Sequence, residues 1–199
     1  MLHYLEFKVS PEDTRMWMGN LVQAVHGAHK ALGSRLAIGF PDWREASEGG
    51  GGRATCHADI GSRLRVFGTE LALMAFSVSP VPAKLRRTGA AQISLVQAVP
   101  AVRGWERYLR DRTQERQSPG EAARRARRRL ARGTGTRVGG EQPRLPVRSS
   151  VTLDISSLSE AAVFPLRIAR VPQSEQGGDS NALNGYGLST SPEGAVPSF

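Results

Sequence analysis

The sequence has one cysteine, few lysines and no apolar run long enough to span a membrane. The single thiol, Cys56, excludes an internal disulfide framework. With no such run and no visible signal peptide, a soluble cytoplasmic protein with no membrane partner is expected. There is no internal repeat. No carboxylate pair has the look of a metal site, and no spacing rule connects Cys56-His57 to the histidines elsewhere. Neither a metal nor a cofactor is therefore expected. The four glycines Gly49 to Gly52 match no phosphate-binding pattern, because no Lys-Ser/Thr follows and no helix opens there. Residues 42–52 are read as a flexible loop.

Acidic residues are also scarce. Eighteen Asp and Glu face 27 Lys and Arg, giving a net charge of +9 and a pI near 10.9. Such an excess points to a polyanionic partner. It is local, since Arg103 to Arg137 holds 12 Arg against four acids. Within it, residues 118–132 read SPGEAARRARRRLAR. Ser118 can cap a helix, Pro119 suits its first position, Glu121 can complete a capping box, and Gly133 can stop it. At helical spacing Arg124, Arg125, Arg127, Arg128, Arg129 and Arg132 share one broad arc. Ala122, Ala123, Ala126 and Leu130 lie opposite. Six guanidiniums on one face would repel each other without an anion, and Arg pairs bidentately with phosphate. The bland alternative is a solvated basic face in a chain that favours Arg, with 24 of its 27 basic residues of that type.

Taken in order, residues 2–9 alternate as a half-buried strand. Residues 11–32 carry apolar positions at helical spacing and end at Gly33. Strands are expected at 35–40, 53–58 and 70–79, with a short helix around 60–66. That order is the ferredoxin-like one. Pro80-Val81-Pro82 marks a boundary, giving domains 1–82 and 83–199. Beyond it the pattern predicts a strand at 91–99, a short helix at 104–116 anchored by Trp105, Tyr108 and Leu109, and the arginine helix. Residues 133–146 are expected to be mobile. Strands follow at 147–155 and 162–170, with a last short strand over Leu183 to Ser189. The fold class expected is α+β: a ferredoxin-like N-terminal domain plus a smaller C-terminal domain with an arginine-rich helix and short β-strands.

His26 and His29 lie three residues apart on the first helix, where a histidine is ordinarily structural or exposed. Ser156, Ser157 and Ser159 sit at a strand end, where serines ordinarily serve turn chemistry. Tyr186 lies between two glycines that would let backbone or ligand approach closely.

Together these segments resemble the CRISPR-associated repeat-processing endoribonuclease of subtype I-F. The resemblance runs through MLHYL, VHGA followed by IGFPDW, SLVQAV, an arginine-rich helix, SLSEAAVFPLRI and GYGLS. It implies a protein that binds the CRISPR RNA stem-loop through its arginine helix and cuts at the 3′ base of the hairpin. It would remain on the guide 3′ end with the other subunits of a type I-F surveillance (Cascade) complex. Carried over residue by residue, it implies His26 as the catalytic histidine, with His29 as alternate. Ser157 holds the 2′-hydroxyl with Ser159 beside it, and Tyr186 orients the imidazole. It further implies Phe164 as a base-stacking aromatic and Gln97 as an RNA-binding residue. Leu95 stands where members carry a base-reading Arg, so readout at the hairpin base is expected to differ. The implied chemistry is metal-free transesterification, leaving a 2′,3′-cyclic phosphate and a 5′-hydroxyl. The glycine loops and trimmed middle resemble the transposon-associated branch of the subtype, which would add transposition proteins as partners. The family helix can also be aligned to residues 106–116, although arginine density favours 118–132.

Two other readings compete with the enzyme. One is a non-catalytic hairpin-binding assembly subunit of the same complex. The other is an unrelated basic RNA-binding scaffold.

Overall fold

The first helix, α1 (Thr14–Leu32), is the part on which both halves of the chain pack. Its apolar positions Met18, Leu21, Val22 and Val25 recur at three- and four-residue steps and are fully buried. Each such side chain contributes roughly 1.5–3 kcal/mol of burial. The Ser10-Pro11 signal opens a 3-10 turn, Pro11–Asp13, before the helix. Gly33 ends α1 in the left-handed conformation at φ 64°. The computed structural model describes residues 3–33, 35–45, 58–112, 127, 149–156 and 163–199.

Against α1 lies an antiparallel sheet of β1 (His3–Val9), β2 (Ala37–Gly39), β3 (Arg63–Gly68), β4 (Ala91–Ile93) and β5 (Gln97–Ala98). The order is β2-β3-β1-β4, with β5 also paired to β1. Two helices, α2 (Glu70–Ser77) and α3 (Pro80–Thr88), join β3 to β4. Strand, helix, two strands, helices and a strand, with β1 central beside β3, is the ferredoxin-like arrangement.

The segments filling that plan differ from expectation. Residues 63–68 form a strand where a short helix around 60–66 was expected. Leu64 and Val66 face the core while Arg63 and Arg65 alternate with them, which is a two-residue period. Residues 70–77 form a helix where a strand was expected. Between Glu70 and Ser77 the run LALMAF is apolar throughout, so periodicity alone could not separate a buried strand from a helix. The cap decides it: the Thr69 hydroxyl accepts from the Ala72 amide at 3.3 Å, and Glu70 sits in the first turn. Leu71 and Met74 are left exposed as a result. The Pro80-Val81-Pro82 stretch opens α3, with Ser79 at the cap position and Pro80 at the first turn. The expected strand at 91–99 is β4 and β5, parted at Ser94, whose hydroxyl accepts from the Glu6 amide at 2.9 Å. The first sheet therefore reaches residue 98. The expected strand over 53–58 falls largely outside the described residues.

The second antiparallel sheet has the order β7-β8-β6-β9, from β6 (Gly104–Arg110), β7 (Ser150–Ser156), β8 (Val163–Gln173) and β9 (Val196–Ser198). Residues 104–110 are thus a strand, which corrects the expected helix at 104–116. It also removes 106–110 from the alternative arginine-helix register. Glu106, Tyr108 and Arg110 alternate with Trp105, Arg107 and Leu109, and Tyr108 turns inward. The Tyr108 ring packs edge-on to Phe40 and Trp43 at 5.1 and 5.9 Å between centroids. Burial and the neighbouring Glu106 carboxylate push its phenol far above the usual range. At the entry to α1, Arg63 donates to Asp42 at 2.8 Å and holds that carboxyl below its usual pKa.

Helix α1 meets β7 at Gly19, where an added Cβ would lie 2.6 Å from the Asp154 carbonyl oxygen. Gly27, on the same helix, has nothing within 4 Å of such an atom. Alanine gains about 1 kcal/mol over glycine in a helix interior, and overpacking costs roughly 1–3 kcal/mol. Gly19→Ala is therefore expected to lower stability by about 1 kcal/mol and Gly27→Ala to raise it by up to about that much. Equilibrium urea unfolding of the two variants measures both signs.

Candidate active site

His26 lies on the side of α1 that faces the C-terminal residues, half-buried. Its Nδ1 is 3.0 Å from the carbonyl oxygen of Gly185. The ring of Tyr186 stacks on the imidazole, with centroids 4.4 Å apart and planes 20° from parallel. Phe164, on β8, meets Tyr186 edge-on at 6.4 Å. Three side chains singled out in the sequence, 160 residues apart at the extremes by position 26 and 186, thus form one aromatic line.

A tight turn makes this contact. The expected strand over 183–189 is instead a turn closed by one isolated bridge, Leu183 to Ser189. The Asn184 side chain accepts from the amides of Tyr186 (2.8 Å) and Leu188 (3.2 Å). Its main chain adds Asn184 N to Leu188 O at 2.8 Å and Gly187 N to Asn184 O at 3.0 Å. Asn-Gly is a turn signal with a known cause, an asparagine side chain that bonds backbone two residues on. The alternation of apolar residues around it hid that signal. Gly187 sits at φ 74°, and a Cβ there would lie 2.6 Å from the Leu36 carbonyl oxygen. Gly185 has a different constraint, since a Cβ would lie 2.7 Å from His26 Nδ1.

One turn before His26, the Gln23 amide donates to the Ser156 carbonyl at 2.7 Å. The end of β7 is thereby tied to the helix that carries the histidine. Ser157 and Ser159 follow directly in sequence and lie outside the described residues. His29 is on the same helix one turn beyond His26, and its Cδ2 would be 3.9 Å from a Cβ on Gly185. Its Nδ1 is buried and makes no hydrogen bond among the described residues. His26 alone of the two pairs with the turn through both a hydrogen bond and a ring stack.

The proposed RNA-binding residues are spread more widely. Gln97 is exposed on β5, at the sheet edge opposite Tyr4, whose hydroxyl donates to its Oε1 at 2.9 Å. Its side-chain amide nitrogen is the group left to read an acceptor. Leu95, two residues earlier, is 84% exposed. No described hydrogen bond or ring contact links Gln97 to His26. Arg127 is helical and exposed. Arg124, Arg125, Arg128, Arg129 and Arg132 lie outside the described residues, as does Cys56. Among the described residues no three His, Cys, Asp or Glu side chains group together, and no helix is long and apolar enough to cross a membrane.

A second cluster, not foreseen from the sequence, lies on the first sheet. Arg65 donates to Glu6 at 2.7 Å and to the Phe199 main-chain oxygen at 3.0 Å. Its guanidinium also lies over the Phe199 ring, 3.9 Å from the centroid. These contacts clamp the last residues onto the ferredoxin-like sheet, beside β9.

A family model for the CRISPR-associated protein Cas_Csy4 matches residues 4–199. No curated protein matches the chain. The family match covers both sheets from Tyr4 onward, the His26 helix and the Tyr186 turn together. The chain belongs to the Csy4 family of CRISPR-associated, repeat-processing RNA endonucleases.

Proposed function

We propose that this protein binds the stem-loop of its CRISPR repeat transcript and cuts at the 3′ base of the hairpin without a divalent metal. It then stays on the 3′ end of the guide within a type I-F surveillance complex. The observation that carries the proposal is the stacking of Tyr186 on His26, with the Gly185 carbonyl on Nδ1. An imidazole held on two sides and half-exposed on another suits proton transfer to or from a bound substrate.

The reaction is a transesterification. Ser157 holds the 2′-hydroxyl of the nucleotide before the cut. His26 takes the 2′ proton as the oxygen attacks phosphorus, and the bond to the 5′-oxygen breaks. That oxygen leaves with a proton, which His26 in its charged form can also supply. The products are a 2′,3′-cyclic phosphate and a 5′-hydroxyl. Tyr186 orients the imidazole by its stack, and Phe164 buttresses Tyr186 at one edge while offering its face to a base. The arginines of 118–132 hold phosphates along the hairpin. The A-form major groove is too deep and narrow for side chains to read many bases, so those arginines set affinity more than sequence choice. Gln97 contributes base readout at the hairpin foot, and Leu95 removes one charged contact there.

The test is cleavage in EDTA of the repeat hairpin from the same genome, with the ends of the products identified. A single cut at the 3′ base of the stem, leaving a cyclic phosphate, is expected. A requirement for divalent metal, or a 3′-hydroxyl product, would sink the mechanism. Tight binding with no cut would leave the hairpin-capping role and remove the enzymatic one.

A further inference from the structure

We propose that Asn184 is a positioning residue that fixes the tautomer of His26 through the Gly185 carbonyl, leaving Nε2 as the nitrogen that exchanges protons with RNA. The inference rests on the proposed role of His26.

A carbonyl oxygen can only accept a hydrogen bond. The 3.0 Å contact between Gly185 O and His26 Nδ1 therefore requires the hydrogen on Nδ1, in the neutral ring as well as in the charged one. A neutral imidazole has one N–H. With that hydrogen on Nδ1, the lone pair is on Nε2, and only Nε2 can act as a base. A free ring has no such constraint, so the turn selects one form in advance of substrate.

What holds the carbonyl in place is Asn184. Its Oδ1 accepts from the amides of Tyr186 and Leu188, which bracket the turn just after Gly185. The peptide between Gly185 and Tyr186 carries both the carbonyl on His26 and the amide on Asn184, so one rigid plane is gripped at both ends. The turn itself is fastened to the protein by independent bonds. The Ile38 amide donates to Gly187 O at 3.1 Å, and Arg35 donates to Asn181 O and Leu183 O, each at 2.8 Å. The approach of this carbonyl demands a residue without Cβ, because a Cβ at 185 would lie 2.7 Å from the same Nδ1. Without Oδ1 the Gly185 peptide can rotate about a flexible glycine, the carbonyl leaves Nδ1, and the ring becomes free to place its hydrogen on Nε2.

Long-range proton–nitrogen NMR of the full-length, RNA-free protein, at a pH where the ring is neutral, reads which nitrogen of His26 bears the hydrogen. Wild type is compared with Asn184→Ala and Asn184→Asp, and single-turnover cleavage of the repeat hairpin is measured on each. The wild-type ring is expected to favour Nδ1–H by about tenfold or more, the ratio a single well-made hydrogen bond sustains. Asn184→Ala is expected to bring it to a mixture and to slow cleavage by about tenfold, with hairpin affinity unchanged. This is a fraction of the roughly 10⁴-fold loss that a fully wrong tautomer causes in a serine protease. Asn184→Asp, which keeps both acceptor bonds, is expected to restore tautomer and rate together. A wild-type ring protonated on Nε2, or a tautomer unmoved in Asn184→Ala, overturns the proposal. If the alanine variant does not fold, Asn184→Ser, whose hydroxyl reaches fewer amides, must show a partial shift, and an unshifted ring overturns it equally. The NMR arm needs no cleavage. A tautomer that obeys Asn184 in a protein that cuts no hairpin upholds the tautomer control and removes the nuclease reading.

Discussion

Replacement of His26 by alanine is expected to slow hairpin cleavage by roughly 10²- to 10⁴-fold, the usual contribution of a positioned general acid or base. Binding of the hairpin is expected to be nearly unchanged, because the proposed function assigns affinity to the arginines of 118–132 and not to position 26. The Tyr186 ring would lose its stacking partner and Gly185 its bond to Nδ1, but the turn keeps its bonds to Asn184, Ile38 and Arg35. The variant should therefore fold and bind. A companion experiment isolates the nucleophile: a 2′-deoxynucleotide before the cut should leave wild-type binding intact and abolish cleavage. Single-turnover rates with excess protein, beside equilibrium binding of the same hairpin, separate the two effects. If His26→Ala cuts at the wild-type rate, His29 becomes the candidate, since it is the other imidazole near the Gly185 turn. If the deoxy hairpin is cut, transesterification is wrong whichever histidine acts.

The second large effect concerns stability. Tyr108 is 1% exposed, with its ring against Phe40 and Trp43. Its hydroxyl lies 3.0 Å from the Phe40 carbonyl oxygen and 2.5 Å from Glu106 Oε2, so one proton is shared between two acceptors. Arg170 donates to the other oxygen of Glu106 at 2.6 Å. The ring therefore joins β6 to the end of β2, one sheet to the other. Tyr108→Ala is expected to cost about 3–5 kcal/mol, the range for deleting a large aromatic from a core. A domain of ordinary stability has roughly 5–15 kcal/mol in all. Tyr108→Phe keeps the ring and removes one donor, and is expected to cost about 1–3 kcal/mol. Equilibrium urea unfolding of both variants is the measurement. A phenylalanine variant as unstable as the alanine one would mean that the hydroxyl, not the ring, joins the sheets.

The family resemblance was legible because its short motifs recur in order: VHGA, IGFPDW, SLVQAV, SLSEAAVFPLRI and GYGLS. So were the elements with a clear period. Strand β1 alternates Leu5, Phe7 and Val9, and α1 repeats its apolar residues every three or four positions up to Gly33. Arg63 to Gly68 and Gly104 to Arg110 alternate as well, but their arginines and aromatics also satisfy a helical reading over so few residues. Pairing with neighbours settled them as strands, since a backbone inside a sheet gains its hydrogen bonds from other strands. In residues 71–76 the apolar run carried no clear period, and its helix is capped by Thr69 and packed through Ala72, Leu73 and Phe76.

Candidate residues His26, Tyr186 and Phe164 could be named from sequence by resemblance, but not the ring stack of Tyr186 on His26 or the edge contact of Phe164. Charge and composition pointed to a polyanionic partner, because a net charge of +9 concentrated in one stretch favours a counter-charge. Residue order determined the α+β class with its ferredoxin-like N-terminal unit through the periods of β1 and α1, whereas the second sheet needed the pairing of β6 with β8. Only the tertiary structure set the Gly185 carbonyl on His26 Nδ1, because that bond spans 159 positions of chain and depends on a turn packed against a distant helix. Local sequence fixes what a segment can form. Which nitrogen of a histidine is left free depends on the atom that arrives beside it.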